Sequence, residues 1–544
     1  MTINHPARPS FDPGRRRLLT ATGLSVAAVL LGGCTTQSVS PAPAGGSAVA
    51  ASAGATTSAG RATILAAEAR RARSGRSVKY TLTPQHSQID LGGVVVSTLA
   101  YGSSIPGPLI RANIGDEMSV TVKNLLTDPT SVHSHGVAMR NDMDGVAPAS
   151  KDIAAGGQFT YTYTVPHAGT YWAHPHVGIQ TDYGLYAPIV FDDPNEKVTY
   201  DTEWIVVLDD WIDGVGNSPT QELAALQAGN GGMAMGSSTT SPAAAMPGMN
   251  MGSSPATATS SSGAMAMGGM GVGTSVLLGG DAGDVKYPYY LINGRIPAAP
   301  VTFSAKPGQR VRIRIINAGA DTAFRVALGG HPMTVTHTDG YPVVPKDVDA
   351  ILIGMAERYD VVVTLKDGVF PLVALAEGKG GLARALIRTG SGQVPAASVQ
   401  PTQLQGRIGV ATSLLPDPTA MLPAGTPDAE LTATLGGGMM PYRWTINGRG
   451  YDQTVPLQVR QGQRPRLTLS NETDMWHPMH LHGHTFALVR PDGQPGVRKD
   501  TVIVKPRTTM ALDLLADNPG VWMLHCHNGY HSESGMMTRL EYSL

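Results

Sequence analysis

A ten-residue pattern occurs three times along this chain: a glycine opens a run with apolar residues at alternate positions, and an asparagine nine positions on closes it. The copies are GDEMSVTVKN at 115–124, GQRVRIRIIN at 308–317 and GQRPRLTLSN at 462–471. Alternation places the apolar side chains on one face, as a half-buried strand requires. A strand that recurs at long intervals implies a repeated sheet-built unit, and 544 residues is room for about three domains of the usual size. Glycine and proline are abundant and long amphipathic helical patterns are scarce, so the expected class is all-β, with short strands joined by turns.

The outer copies differ chemically from the middle one. Counted from the closing asparagine, His133 and His480 fall at the ninth position and His135 and His482 at the eleventh, where the middle copy has Val326 and Leu328. A second element repeats nearer the end of each unit: five and seven residues after a glycine stand His174 and His176 (from Gly169), Val373 and Leu375 (from Gly368), and His525 and His527 (from Gly520). Residues i and i+2 of a strand share a face, so each H-x-H element projects two imidazoles together, about 7 Å apart along the strand. A single pair is more often a surface accident or a satisfied core pair, but four pairs at matched repeat positions are not accidental. If the first and third units pack with pseudo-twofold symmetry, eight imidazoles converge at their interface, and neutral imidazole suits copper. The middle unit reads as a spacer.

Near the C-terminus, Cys526 has His531 five residues on and Met536 ten residues on, with His477 upstream. Two imidazoles, one thiolate and one weak thioether make a blue-copper set. Sulfur ligands favour Cu(I) and imidazole serves both oxidation states, so an electron passes with little rearrangement.

The first residues stand apart from the fold. Arg15, Arg16 and Arg17 precede an apolar run through Leu31 that is short for a membrane span, which reads as an export signal of the twin-arginine type. The run ends in Leu31, Gly32, Gly33 and Cys34, resembling a bacterial lipoprotein processing box, with Cys34 as the lipidated residue. Residues 35–74 are expected to be a flexible tether, since their first thirty or so are Ala, Ser, Gly and Pro with little apolar bulk. Cys526 is then the one cysteine left after Cys34, and no intramolecular disulfide is expected in an oxidising compartment. A formal net charge of -1 gives no electrostatic case for nucleic acid.

Four segments, His133-Ser134-His135-Gly136, Trp172-Ala173-His174-Pro175-His176, His477-Pro478-Met479-His480-Leu481-His482-Gly483-His484 and His525-Cys526-His527 continuing to Met536, resemble the four copper signatures of multicopper oxidases. The resemblance runs from about residue 75 to the end. It implies three cupredoxin-like Greek-key β-sandwiches, at 75–200, 201–395 and 405–544. It further implies a type 1 copper on His477, Cys526, His531 and Met536, a type 2 copper on His133 and His480, and a type 3 pair on His135, His174, His176, His482, His525 and His527, about four ions in all. Thr130 and Pro175 stand where a first-domain type 1 site would need ligands, so one such site is expected. Asp144, nine residues after His135, matches the family's proton-delivering acid near the cluster. Relatives with a second proton-relaying glutamate place it directly after the type 1 histidine; here Ser532 is there and Glu533 comes one later. His484 reads as a structural residue beside the ligands, and His5, His86, His167, His331 and His337 as surface or core residues.

Within the middle unit, residues 229–273 are a low-complexity insert with Met233, Met235, Met246, Met249, Met251, Met265, Met267 and Met270 among Gly, Ser, Ala and Thr. Methionines without apolar neighbours have no core to fill, and thioethers prefer Cu(I). Asp474 and Met475, just ahead of His477, form a second candidate seat for Cu(I) or Fe(II), with a loop acid beside a buried methionine as the plain alternative. The expected activity is oxidation of Cu(I), with Fe(II) and phenols, by dioxygen, in an exported monomer at the periplasm or the outer face of the cell membrane with a role in copper tolerance. The alternatives are a laccase-like oxidase of organic donors and a non-catalytic copper buffer.

Overall fold

The computed structural model describes residues 58–229, 272–423 and 425–543. Each of the three repeat strands lies inside a sheet with a parallel neighbour on one side and an antiparallel one on the other. Glu117–Lys123 runs between Ser77–Leu82 and Gln158–Thr164, Arg310–Asn317 between Thr202–Trp211 and Arg358–Thr364, and Pro465–Asn471 between Ala429–Met439 and Thr509–Leu514. The second sheet of each unit carries the later repeat element. In the first unit this sheet runs Ile110–Asn113, Ala187–Asp192, Gly169–His174, His133–His135. Leu82, Val120, Val122 and Tyr161 of one sheet share a core with Ile110, Tyr171, Ala173 and Ile189 of the other. The architecture is cupredoxin-like β-sandwich throughout.

The structure explains the recurring asparagine. Asn124, Asn317 and Asn471 are all buried. Asn124 Nδ2 donates to the carbonyls of Asp128, Ile153 and Ala154, Asn317 Nδ2 to those of Thr322 and Ile353, and Asn471 Nδ2 to those of Met475, Val504 and Lys505. In every copy the side-chain oxygen accepts from the amide two residues on, at Leu126, Gly319 and Thr473. One amide side chain thus satisfies the buried backbone where the chain leaves the strand, a role that needs a donor and an acceptor on a short stem.

That loop delivers the chain to the histidine strand. His133–His135 pairs antiparallel with Gly169–His174, setting His133 opposite His174, and His477–Leu481 pairs with Val521–Cys526, setting His480 opposite His525. The middle unit keeps the strands with a one-residue difference in register: Val326 faces Ala374, not Val373. Counting from Gly368 therefore lands on the wrong face there. Leu372 and Ala374 join Val326 and Leu328 in the main core, while Val373 packs with Ala327, Ala350 and Leu404.

The tether expectation is corrected over its last part. Ser58–Ala69 is an α-helix, within the span read as flexible to 74. The run ATILAAEA favours helix, and Ile64 and Glu68, one turn apart, are both buried. The Glu68 carboxylate accepts from the Thr164 amide at 2.7 Å and pairs with Arg71 at 2.9 Å, which docks the helix on the first sandwich. The signal residues, Cys34 and the eight methionines of the insert lie outside the described residues.

Candidate metal centres

The two outer sandwiches bring all eight H-x-H imidazoles together, with a pseudo-twofold relation that exchanges them in order. His133 stacks on His482 with centroids 3.8 Å apart, and His135 on His480 at 3.7 Å. Edge contacts repeat the exchange: His174 meets His527 at 5.1 Å and His176 meets His525 at 4.8 Å. Among the candidate metal groups are His133–His480–His482, His133–His135–His174 and His176–His482–His525. Burial, reinforced by neighbouring imidazoles, holds His135, His174, His176, His482, His525 and His527 well below the usual histidine range, so they stand neutral.

Which ring nitrogen faces the centre follows from what the other one touches. His133 Nδ1 donates to the Asp144 carbonyl and His480 Nδ1 to the Asp500 carbonyl, each at 2.9 Å. His482 Nδ1 donates to Asp144 Oδ2 at 3.0 Å, and His525 Nδ1 to the Cys526 carbonyl at 2.9 Å. His135 is reversed: its Nε2 donates to Asp500 Oδ1 at 3.1 Å. The remaining nitrogens are lone pairs aimed inward. His133 Nε2, His135 Nδ1, His176 Nε2 and His480 Nε2 are buried with no hydrogen-bond partner, and His482 Nε2 lies 3.1 Å from His525 Nε2. Convergent, unprotonated imidazole nitrogens fit copper and have no other account in this core.

The second centre lies in the third sandwich. Cys526 Sγ is 3.6 Å from His477 Nδ1 and 3.7 Å from His531 Nδ1, and the two nitrogens are 3.1 Å apart. His477 Nε2 donates to Thr473 Oγ1 at 2.8 Å and His531 Nε2 to Asp284 Oδ2 at 2.9 Å, which again leaves both facing nitrogens as acceptors. Burial pushes the Cys526 thiol far up, so its thiolate needs a cation at hand, as a copper ion provides. Met536 is fully buried, and its carbonyl accepts from the Cys526 amide at 3.0 Å. Trp444 covers the set, with its ring 4.1 Å from His531 and 5.2 Å from His477. Because Cys526 sits between His525 and His527, one strand end joins both centres.

The other expected residues fall as follows. Asp144 bridges His482 and His133 from the first sandwich. Glu533 is half-buried and lines a cavity of about 50 Å³ with His174, His176, His527 and Ser532; burial raises its carboxyl to about 7. His484 is buried, donating from Nδ1 to the His482 carbonyl at 3.1 Å, with Nε2 2.7 Å from the Tyr542 hydroxyl. His331 and His337 are buried, His167 half-buried and His86 exposed. Asp474 and Met475 are held apart: Asp474 is exposed and pairs with Arg507 at 2.9 Å, while Met475 packs in the core.

Three residues escaped the sequence reading. Asp500 is the pseudo-twofold counterpart of Asp144, for its carbonyl and carboxylate serve His480 and His135 as those of Asp144 serve His133 and His482. Arg358 holds Asp500, and Asp284 holds His531. Arg358 and Asp284 belong to the middle unit, so the spacer expectation is corrected: that unit backs a histidine at one centre and an acid at the other.

Cupredoxin sandwiches whose outer pair gathers eight imidazoles beside a buried thiolate define an oxidase of the multicopper class. Sequence profiles described as multicopper oxidase match residues 83–196, 202–392 and 425–543. Multicopper oxidase MmcO of Mycobacterium tuberculosis (strain ATCC 25618 / H37Rv) is 57% identical over 505 residues, covering 92% of this chain and 95% of its own. Copper resistance protein A of Escherichia coli is 27% identical, over 86% of this chain and 92% of its own. The solved structure of Fet3p, described as a multicopper oxidase that functions in iron import, superposes with a TM-score of 0.66 at 20% identity, over 86% of this chain and 91% of its own. The chain belongs to the multicopper oxidase family: it is a three-domain oxidoreductase that uses copper and dioxygen.

Proposed function

We propose that the enzyme couples one-electron oxidation of Cu(I), and also of Fe(II) and phenols, to the four-electron reduction of dioxygen to water, in the service of copper tolerance. In this reading His477, Cys526, His531 and Met536 hold the type 1 copper, and His133 and His480 the type 2. His135, His174, His176, His482, His525 and His527 hold the type 3 pair, four ions in all. Copper bound there supplies one-electron exchange at the thiolate and dioxygen reduction at the histidine cluster. Cys526 stands between His525 and His527, so its backbone would join a copper held by the thiolate to copper held by the histidine cluster. Asp144 orients His482 and His133 and stands where protons are consumed. Glu533, with a carboxyl that titrates near neutrality, carries protons in from the cavity it lines.

The observation that carries Cu(I) as donor is where the methionine-rich insert leaves and rejoins the fold. On its N-terminal side Gln227 Nε2 donates to Ser534 Oγ at 3.4 Å, between His531 and Met536. On its C-terminal side Asp284 accepts from His531, and Leu277 and Leu278 pack with Trp476, next to His477. The described segments that flank the insert thus both reach the edge of the electron-accepting site, and thioethers such as those of Met233, Met235, Met246, Met249, Met251, Met265, Met267 and Met270 select the cuprous ion. A relative named for copper resistance fits this role, and one that functions in iron import fits Fe(II). We further read the chain as a monomer exported by the twin-arginine route to the periplasm, anchored through a lipid on Cys34, with domains at 75–200, 201–395 and 405–544.

The test is oxygen uptake by copper-loaded protein with and without residues 229–273. Loss of cuprous turnover with phenol oxidation retained is expected. Equal cuprous turnover in both would favour the laccase-like reading, and no uptake with any donor would leave only a copper store.

A further inference from the structure

Arg358 rises from the second domain into the junction between the other two, fully buried. Its Nη1 and Nη2 donate to Asp500 Oδ1 and Oδ2 at 2.7 and 2.5 Å, its Nε to the Thr170 carbonyl at 3.0 Å, and its Nη1 also to the Ala356 carbonyl at 3.1 Å. The clamped carboxylate faces one imidazole from each outer domain: Oδ1 accepts from His135 Nε2 at 3.1 Å and lies 3.4 Å from His480 Nδ1. Thr501 Oγ1 completes the bridge, 3.1 Å from His135 Nε2 and 3.2 Å from His480 Nδ1. Behind it Asp339 accepts from the Thr501 amide at 3.1 Å and pairs with Lys499 at 3.0 Å, and Lys499 also meets Glu357 at 3.1 Å.

The surrounding backbone is shaped for this contact. Asp339 (φ 46°) and Ala356 (φ 67°) are two of only five described non-glycine residues in the left-handed region, and both touch Arg358. Strain of this kind persists only where the neighbours over-determine it. Gly136, the last residue of the H-S-H-G segment, leaves the room: a Cβ there would stand 2.3 Å from Arg358 Nη2 and 2.6 Å from Asp500 Oδ2. Asp144 makes the equivalent contacts to His133 and His482 across the pseudo-twofold axis, with Oδ1 3.2 Å from His133 Nδ1, yet no arginine or lysine among the described residues clamps it. The asymmetry marks Arg358 as an addition to one half of a duplicated design.

We propose that Arg358 is a positioning residue of the copper cluster: by clamping Asp500 it fixes the ring orientation and tautomer of His135 and His480, so that His135 offers Nδ1 and His480 offers Nε2 to metal. The inference rests on the multicopper reading above and assigns the second domain a part in building the cluster. Removing an outer partner of metal-bound histidines lowers metal affinity by about 10- to 100-fold.

The experiment compares copper-loaded wild type with Arg358→Met, Arg358→Lys and Asp500→Asn, by copper count per chain and by the type 2 signal in electron paramagnetic resonance. The expected result is a type 2 copper lost or bound at least about tenfold more weakly in Arg358→Met and Asp500→Asn, with the blue absorption of the Cys526 site unchanged and partial recovery in Arg358→Lys. Should Arg358→Met fail to fold, Asp500→Asn decides. A normal type 2 signal and full copper count in a folded Arg358→Met or Asp500→Asn, without altered hyperfine splitting, overturns the proposal. A wild type with no blue absorption would instead overturn the multicopper reading itself.

Discussion

Gly136→Ala tests how tightly the cluster's support is packed, with Gly156→Ala as its control in the same domain. Both glycines are left-handed, at φ +81° and +69°. A Cβ on Gly156 meets nothing within 4 Å, so the control isolates the backbone penalty, about 1 kcal/mol. A Cβ on Gly136 meets the Arg358 and Asp500 side chains at 2.3 and 2.6 Å, and both are fully buried and bonded to each other. Overpacking of this kind costs about 1–3 kcal/mol beyond the backbone term. For a domain of this size each kcal/mol moves the midpoint by about 2–4 °C, so Gly136→Ala is expected to melt roughly 2–12 °C below Gly156→Ala. Scanning calorimetry of the copper-free proteins reads the difference, and comparing two variants of one domain avoids assigning a single midpoint to a three-domain chain. Midpoints within about 1 °C of each other would refute the reasoning, since they would mean the ion pair yields freely to an added methyl group.

Cys526→Ser is expected to abolish the intense blue absorption and donor oxidation while leaving the histidine cluster able to bind copper, as read by absorption and metal count. Asp144→Asn should slow dioxygen reduction by about 10²-fold or more, with anaerobic reduction of the blue site unchanged by stopped flow. Asp284→Asn removes a negative charge behind His531 and should raise the blue site's reduction potential in redox titration. Asp360 is buried, which alone would raise its carboxyl, but Arg312 and Arg314 outweigh burial and hold it at about 2, from an ordinary 3.8. Its folded value is the depressed one, so its stabilisation is full above pH ~4 and is lost as pH falls through ~2; it amounts to about 2 kcal/mol. Acid titration of unfolding should therefore show the gap between wild type and Asp360→Asn narrowing across that window.

The eight H-x-H histidines were legible because duplication wrote them at fixed counts from a recurring glycine and asparagine, and Cys526 because it stands between two of them. A strand's period of two turns such counts into a shared face. The count failed in the middle unit, where register differs by one residue and Val373 changes face, and no histidine pair is there to hold the spacing. Asp500, Arg358 and Asp284 were not legible at all. Their partners lie 365, 142 and 247 residues away, in His135, Asp500 and His531, and no local motif announces a contact made by folding. The helix Ser58–Ala69 was hidden by composition, since alanine-rich sequence reads equally as linker until Ile64 and Glu68 find a surface.

The correction to the middle domain changes what the three-domain arrangement means. Two histidine-bearing sandwiches related by a pseudo-twofold axis suffice to gather eight imidazoles, and that symmetry alone would give Asp144 and Asp500 identical surroundings. They are not identical, because the second domain reaches one and not the other. Arg358 ties both oxygens of Asp500 to a fixed cation, which suits a carboxylate that must hold still. Asp144, whose Oδ1 lies 3.2 Å from His133 Nδ1, meets no such cation among the described residues, which suits the proton exchange proposed for it. The same domain supplies Asp284 to His531, so it touches the path at both the donor end and the dioxygen end. A domain with no histidine at the repeat positions thus imposes an asymmetry of its own: in the reading proposed above, it divides two equivalent acids into a support and a relay.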